Sequence, residues 1–131
     1  MAFKSTVTEF ASFQADQYTN SNNETQCVEF VKQTTNLKST TTGSWKAGKR
    51  VLDCDPGTVP KYTAIATFDD SGKYPTDKKG KHAAVYLSHN SNSITVLDQS
   101  KDSTTVKQRT ILSKDSNSRS NDARTFYIIE I

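Results

Sequence analysis

His82-Ala83-Ala84-Val85-Tyr86-Leu87, Ser88-His89-Asn90-Ser91-Asn92 and Ser93-Ile94-Thr95-Val96-Leu97-Asp98-Gln99 form the stretch whose reading decides the fold. Two apolar runs flank a polar loop of hairpin composition. A hairpin centred on Asn90 places His82 directly opposite Asp98 and Ala84 opposite Val96. Their side chains then share one face, with Cβ atoms about 5 Å apart. That face is expected to bury against a helix, and His89, in the loop, is expected to be solvated.

Working outward, Tyr62-Thr63-Ala64-Ile65-Ala66-Thr67-Phe68 reads as a strand ended by the turn Asp69-Asp70-Ser71-Gly72. Val106 to Leu112 and Thr125 to Ile131 read as two more. Upstream, Cys27, Phe30, Val31 and Thr34 recur at helical spacing, predicting a helix that runs to about Leu37. Asn20-Ser21-Asn22-Asn23 precedes it, and either Asn23, with Gln26 three positions on, or Thr25 caps it. A short helix is also expected from about Thr8 to Ala15. Trp45 and Val51-Leu52 read as isolated apolar points in a connecting region. One helix followed by an antiparallel sheet of about five strands gives an α+β class.

The chain of 131 residues is long enough for one core, so residues 1–131 are expected to form a single domain. Lys and Arg number 17 against 14 Asp and Glu, a net charge of +3. The basic residues are scattered, which argues against a nucleic-acid partner and leaves mild attraction to an anionic wall or membrane surface. No run approaches the ~20 apolar residues of a membrane span. The opening Met1-Ala2-Phe3-Lys4-Ser5-Thr6 lacks the apolar core of a signal peptide. Two histidines without close-spaced ligands argue against a catalytic zinc, and the glycines form no phosphate-binding motif, so no cofactor is expected.

Three residues carry the chemistry. Cys27 lies in the first helical turn under either cap, where the helix dipole and free N–H groups favour a thiolate. His82, opening a strand, is the candidate general base, and Asp98 the acceptor that fixes its tautomer. Cys54, between Asp53 and Asp55, is the poorer nucleophile because neighbouring negative charge raises a thiol pKa. Two alternatives stand beside this reading. One is a non-catalytic secreted binding domain stapled by a Cys27–Cys54 disulfide worth roughly 3 kcal/mol. The other is a host-directed cysteine protease or acyltransferase with the same triad.

A helix-borne cysteine, a histidine opening a strand and a polar residue on the next strand resemble the papain-like peptidoglycan hydrolases of NlpC and CHAP type. The matching segments are Gln26-Cys27-Val28-Glu29-Phe30-Val31, His82-Ala83-Ala84-Val85-Tyr86 and Ile94-Thr95-Val96-Leu97-Asp98-Gln99. More narrowly, Gly57-Thr58 through Ala64 to Phe68, then His82, Asp98-Gln99, Val106 to Arg109 and Phe126-Tyr127-Ile128-Ile129 resemble small amidase effectors. Those are delivered by type VI secretion and have transferred relatives in some eukaryotes. The resemblance implies a papain-like cysteine amidase or endopeptidase. Cys27 would be the nucleophile, His82 the base and then acid, and Asp98 the orienting acceptor. Tyr18 is similar in position to the tyrosine lining the oxyanion site in NlpC-type enzymes, and Gln26 and Gln99 flank the site on the oxyanion or substrate side. The implied substrate is an amide in peptidoglycan stem peptides or cross-links. A monomer secreted or delivered to the bacterial periplasm or cell wall is implied, with a cognate inhibitor or immunity protein as partner. The chain departs from the broader pattern in lacking a Gly-rich lead into the cysteine helix.

Overall fold

The computed structural model describes residues 27–37, 40–76, 79–99, 106–114 and 118–131. The helix α1 spans Cys27–Thr34. Six strands follow among the described residues: β1 (Lys46–Arg50), β2 (Ala64–Thr67), β3 (Ala83–His89), β4 (Ser93–Asp98), β5 (Lys107–Leu112) and β6 (Phe126–Glu130). They form one antiparallel sheet in the order β1-β6-β2-β3-β4-β5. The α+β expectation of a cysteine-bearing helix on an antiparallel sheet holds, with six strands in place of about five. The expected caps of the helix and the Thr8–Ala15 segment lie outside the described residues. No described helix is long and apolar enough to cross a membrane.

The additional strand is β1, in the region expected to be a connection. Lys46-Ala47-Gly48-Lys49-Arg50 has no β-branched or aromatic residue, so its own propensity is poor. It forms because the apolar β6 offers a free edge to pair with. Gly48 is required there, since a Cβ would stand 2.8 Å from the Ile128 carbonyl oxygen. The register also slips between Ala47 and Arg50. The lysines and arginines of β1 and β5 protect the two sheet edges from pairing with other chains.

Helix α1 ends before Leu37 because its threonines compete for its carbonyls. Thr34 Oγ1 donates to the Phe30 carbonyl at 2.8 Å and Thr35 Oγ1 to that of Val31 at 2.7 Å. Phe30 and Val31 are fully buried against the sheet, each worth about 1.5–3 kcal/mol. Beneath them the sheet presents small residues, Ala64, Ala66 and Ala83, beside Val85, Leu97 and Ile129. Alanines let the short helix come close to β3, its main neighbour.

The opposite face carries Ile65, Ala84, Tyr86, Ile94, Val96, Ile111 and Phe126, covered by Val51, Cys54 and Val59. This corrects the expected face of the hairpin: Ala84 and Val96 pack away from the helix. The register is corrected as well. Val85 pairs with Leu97 and Tyr86 with Val96, and an irregularity before Ser88 re-sets the pairing to Ser88–Thr95 and His89–Ile94. The turn closes with Asn90 N–H donating to the Ser93 carbonyl at 3.0 Å, so the loop is centred between Ser91 and Asn92 and not on Asn90. Pairing moves by three residues beside the turn and by two at Tyr86–Val96 and Val85–Leu97, and the two-residue shift keeps Val96 and Asp98 on the face shared with the even-numbered residues Ala84 and Tyr86 of β3.

His89 is the last residue of β3 and is buried, not solvated in the loop. Its Nε2 lies 2.8 Å from the Cys54 carbonyl oxygen and its Nδ1 2.6 Å from the Tyr86 hydroxyl. A carbonyl only accepts, so Nε2 carries the proton and Tyr86 donates to Nδ1. His89→Ala leaves a carbonyl and a hydroxyl stranded in the second cluster, at about 1–3 kcal/mol for each. A lower urea midpoint with unchanged reactivity of Cys27 is the expected outcome. A slowed Cys27 with unchanged stability would instead place His89 in the site.

Candidate active site

The site gathers at the end of the sheet where β3 begins. Gly80, in the left-handed region at φ 99°, lets the chain turn beside residues 118–120, since a Cβ there would meet Arg119 N and Ser118 Oγ at 2.5 Å. The Arg119 N–H donates to the Lys79 carbonyl at 2.8 Å. His82 is then clamped to Thr67. Its N–H donates to Thr67 Oγ1 at 3.0 Å, and the Thr67 N–H donates to its carbonyl at 2.9 Å.

His82 stands just before β3, so its ring is not committed to either face of the sheet. Its Nε2 donates to Asp98 Oδ2 at 2.7 Å. Because Nε2 is spent on the carboxylate, Nδ1 is left to meet the Cys27 sulfur, with which the ring hydrogen-bonds. Phe126 of the second cluster meets the imidazole edge-on, with centroids 6.3 Å apart. The ring thus links a helix residue on one face of the sheet to a carboxylate at the end of β4. His82 and Asp98 are each 7% exposed, and Cys27 is partly buried.

The electrostatics follow from this contact list. Burial pushes the Cys27 thiol up. The hydrogen bond and charge of His82, with smaller help from the Ala83 backbone and the Tyr74 hydroxyl, outweigh it and hold the thiol below its ordinary range. Burial alone would make His82 less basic. Hydrogen bonds to Asp98 and then Cys27 reverse that, so its pKa is raised to about 9. For Asp98, burial pushes upward, and the bond to His82 with the charges of His82 and Arg109 keeps it ionised below the usual carboxylate range. The lowered thiol and the raised imidazole together favour a thiolate–imidazolium pair backed by a carboxylate, an arrangement suited to acyl transfer.

Residues 2–129 match the family model described as domesticated amidase effector 2. The chain belongs to this family. It is 36% identical over 107 residues to the domesticated amidase effector 2 of Ixodes scapularis, covering 81% of this chain and 71% of that protein. It is also 36% identical over 83 residues to a type VI secretion amidase effector 2 protein of Salmonella typhi, covering 61% of this chain and 56% of that one. A solved structure of type 6 secretion amidase effector 2 (Tae2) matches with a TM-score of 0.75 at 28% identity, over 92% of this chain and 90% of the other. The helix on a six-stranded antiparallel sheet is therefore the amidase effector 2 fold, and the narrower resemblance read from the sequence is the right one. Membership makes the chain one of a family of amidases, hydrolases of an amide bond.

Within this amidase effector fold, Cys27, His82 and Asp98 come together although the expected hairpin register does not hold. His82 and Asp98 face each other diagonally because a two-residue shift keeps both on one side, and His82 lies beyond the strand, free to turn toward the helix. Tyr18 and Gln26 lie outside the described residues. Gln99, directly after β4, is fully buried at 1% exposure. Cys54 and Cys27 are both free thiols and the expected alternative disulfide is absent. Cys54 packs in the cluster on the face away from α1, donating its Sγ–H to the Arg50 carbonyl at 3.5 Å. Among the described residues no His, Cys, Asp and Glu side chains group as metal ligands.

The sequence reading missed Tyr74 and Arg109. Tyr74 lies in Lys73-Tyr74-Pro75, a loop with no periodicity to mark it. It is clamped edge-on by Trp45 at 5.3 Å and Phe68 at 6.5 Å between centroids, which aims its hydroxyl at the Cys27 sulfur. Burial and the sulfur's charge push that hydroxyl's pKa upward, so it stays a donor. Arg109 donates its Nε–H to Asp98 Oδ2 at 2.9 Å. An aromatic next to a proline in a polar loop, and an arginine alone in a strand, were the only signals available.

Proposed function

We propose that this amidase effector 2 relative is a cysteine amidase that cuts amide bonds in bacterial peptidoglycan stem peptides or cross-links. It acts as a single papain-like domain, secreted or delivered to the periplasm or wall as an antibacterial factor. The observation that carries the reading is the His82 ring, which joins the Cys27 sulfur to Asp98 in a buried site.

The Cys27 thiolate attacks the amide carbonyl carbon, forming the C–S bond and moving the charge to the carbonyl oxygen. The donors already on the sulfur, the Ala83 N–H and the Tyr74 hydroxyl, adjoin the oxygen that takes over the charge. His82 Nδ1–H passes its proton to the departing amine as the C–N bond breaks. Neutral His82 then takes a proton from water, whose oxygen attacks the thioester carbon. Expulsion of the thiolate restores the ion pair and releases the carboxylic acid.

A peptide amide is favoured over the glycan strand because glycan cleavage relies on two carboxyl groups flanking the bond. The adjacent pair Asp69-Asp70 is unsuited to that. Asp69 Oδ1 accepts from the Ser71 N–H at 2.9 Å, the Ser71 hydroxyl at 2.7 Å and the Lys73 N–H at 3.0 Å, a turn-forming role. Incubation with purified peptidoglycan should release new amine ends and no new reducing sugar ends, and Cys27→Ala should release neither. Reducing ends that persist in Cys27→Ala would defeat the proposal. An intact wall from every source tested would defeat it equally and move weight to a host-directed protease or acyltransferase.

A further inference from the structure

The carboxylate behind His82 is shared. Asp98 Oδ2 accepts from His82 Nε2 at 2.7 Å and from Arg109 Nε at 2.9 Å, so one oxygen serves two cationic groups. Arg109 stands on β5 opposite Val96, diagonal to Asp98 across the β4–β5 ladder. The rest of its guanidinium is also engaged. Nη1 donates to Asn121 Oδ1 at 3.4 Å and Nη2 to the Ser120 carbonyl at 3.3 Å. Those acceptors belong to the turn that backs Gly80 and the Lys79 carbonyl, the segment leading into His82. A single side chain therefore ties the carboxylate to the loop that places the histidine.

We propose that Arg109 is a positioning residue of the site, holding the oxygen that His82 uses and taking part of its charge. The inference rests on the reading of His82 as acid and base. A carboxylate and a thiolate both favour the protonated ring, so a histidine facing both holds its proton more firmly than one whose carboxylate is shared. A second cation on the same oxygen loosens that hold while keeping Asp98 fixed. Among the described residues, the titratable and charged groups facing the imidazole are Cys27 from α1, with Tyr74 behind it on the sulfur, Asp98 from β4, and Arg109 from β5 through Asp98. Phe126 from β6 adds an uncharged ring. The Arg109 side chain is 35% exposed, so its influence is partly screened and the expected effect is moderate.

The test is the titration of the His82 ring by NMR in the full chain, with no substrate present. The chain has 2 histidines, so His82→Ala identifies the His82 ring signals by their loss. In Arg109→Met the His82 midpoint should rise by about half a pH unit or more. Arg109→Lys, which returns the charge, should bring the midpoint back toward that of the wild type. If Arg109→Met does not fold, Arg109→Gln carries the same expectation. A His82 midpoint that stays or falls in a folded, uncharged variant would overturn the inference and leave Arg109 as a structural tie. Because the readout needs no turnover, that failure leaves the proposed amidase reaction standing. An inactive wild type with the expected titration shift would instead count against the reaction alone.

Discussion

Cys27→Ser should fold like the wild type and lose turnover by about a thousandfold or more. The environment of residue 27 is built to stabilise a thiolate: an imidazolium, a backbone N–H and a hydroxyl all donate to the sulfur. An alcohol ionises so much less readily that the same donors cannot produce an alkoxide at neutral pH. The fold should survive because α1 is anchored by Phe30 and Val31, not by the thiol. Cys54→Ser should keep turnover, since that sulfur packs on the face away from the helix. Hydrolysis of purified wall fragments, with thermal melting as the control for folding, checks both. Loss of turnover in Cys54→Ser with retention in Cys27→Ser would reverse the assignment.

His82→Ala should be about as damaging, because both proton transfers in the proposed cycle pass through Nδ1. It also removes the main cause of the lowered Cys27 pKa and leaves Asp98 buried beside Arg109 alone. Asp98→Asn should cost less, about tenfold to a hundredfold. His82 and Arg109 share the single oxygen Oδ2, so an asparagine can place its carbonyl oxygen there and keep both hydrogen bonds. What it loses is charge. Asp98 is the largest influence raising His82, whose pKa is about 9. The alkaline limb of the kcat/KM profile should therefore lie near pH 9 in the wild type and move down in Asp98→Asn. An alkaline limb that rose, or an Asp98→Asn variant deader than His82→Ala, would contradict this assignment.

The parts of the fold legible in the sequence were those with strong local patterning. The central strands β2, β3, β4 and β6 carry dense apolar runs, and α1 carries a clear helical face. The edge strand β1 was not legible, because Lys46-Ala47-Gly48-Lys49-Arg50 owes its conformation to β6, eighty residues away in the chain and invisible to local pattern. The hairpin register was misjudged because the polar loop does not reveal where its turn closes or that β3 is irregular near Leu87. Cys27, His82 and Asp98 are nonetheless legible together, since a two-residue shift leaves the face of Asp98 unchanged. Tyr74 and Arg109 reach the site only through tertiary packing, so nothing in their own segments marked them. His89 shows the converse: a histidine beside a Ser/Asn loop is buried because Tyr86 and the Cys54 carbonyl supply its partners.

The pH dependence of Cys27 alkylation tests the central claim most directly, because it reads the thiolate–imidazolium pair without any assumption about substrate. Iodoacetamide labelling followed by peptide mapping resolves Cys27 from Cys54. The account predicts that Cys27 reacts first and at a nearly constant rate from mildly acidic pH up to about pH 8, below the point where His82 gives up its proton near 9. In His82→Ala the same thiol should regain an ordinary profile that climbs steeply toward alkaline pH. A wild-type Cys27 whose rate climbs like that of a free thiol, unchanged by His82→Ala, would contradict the account.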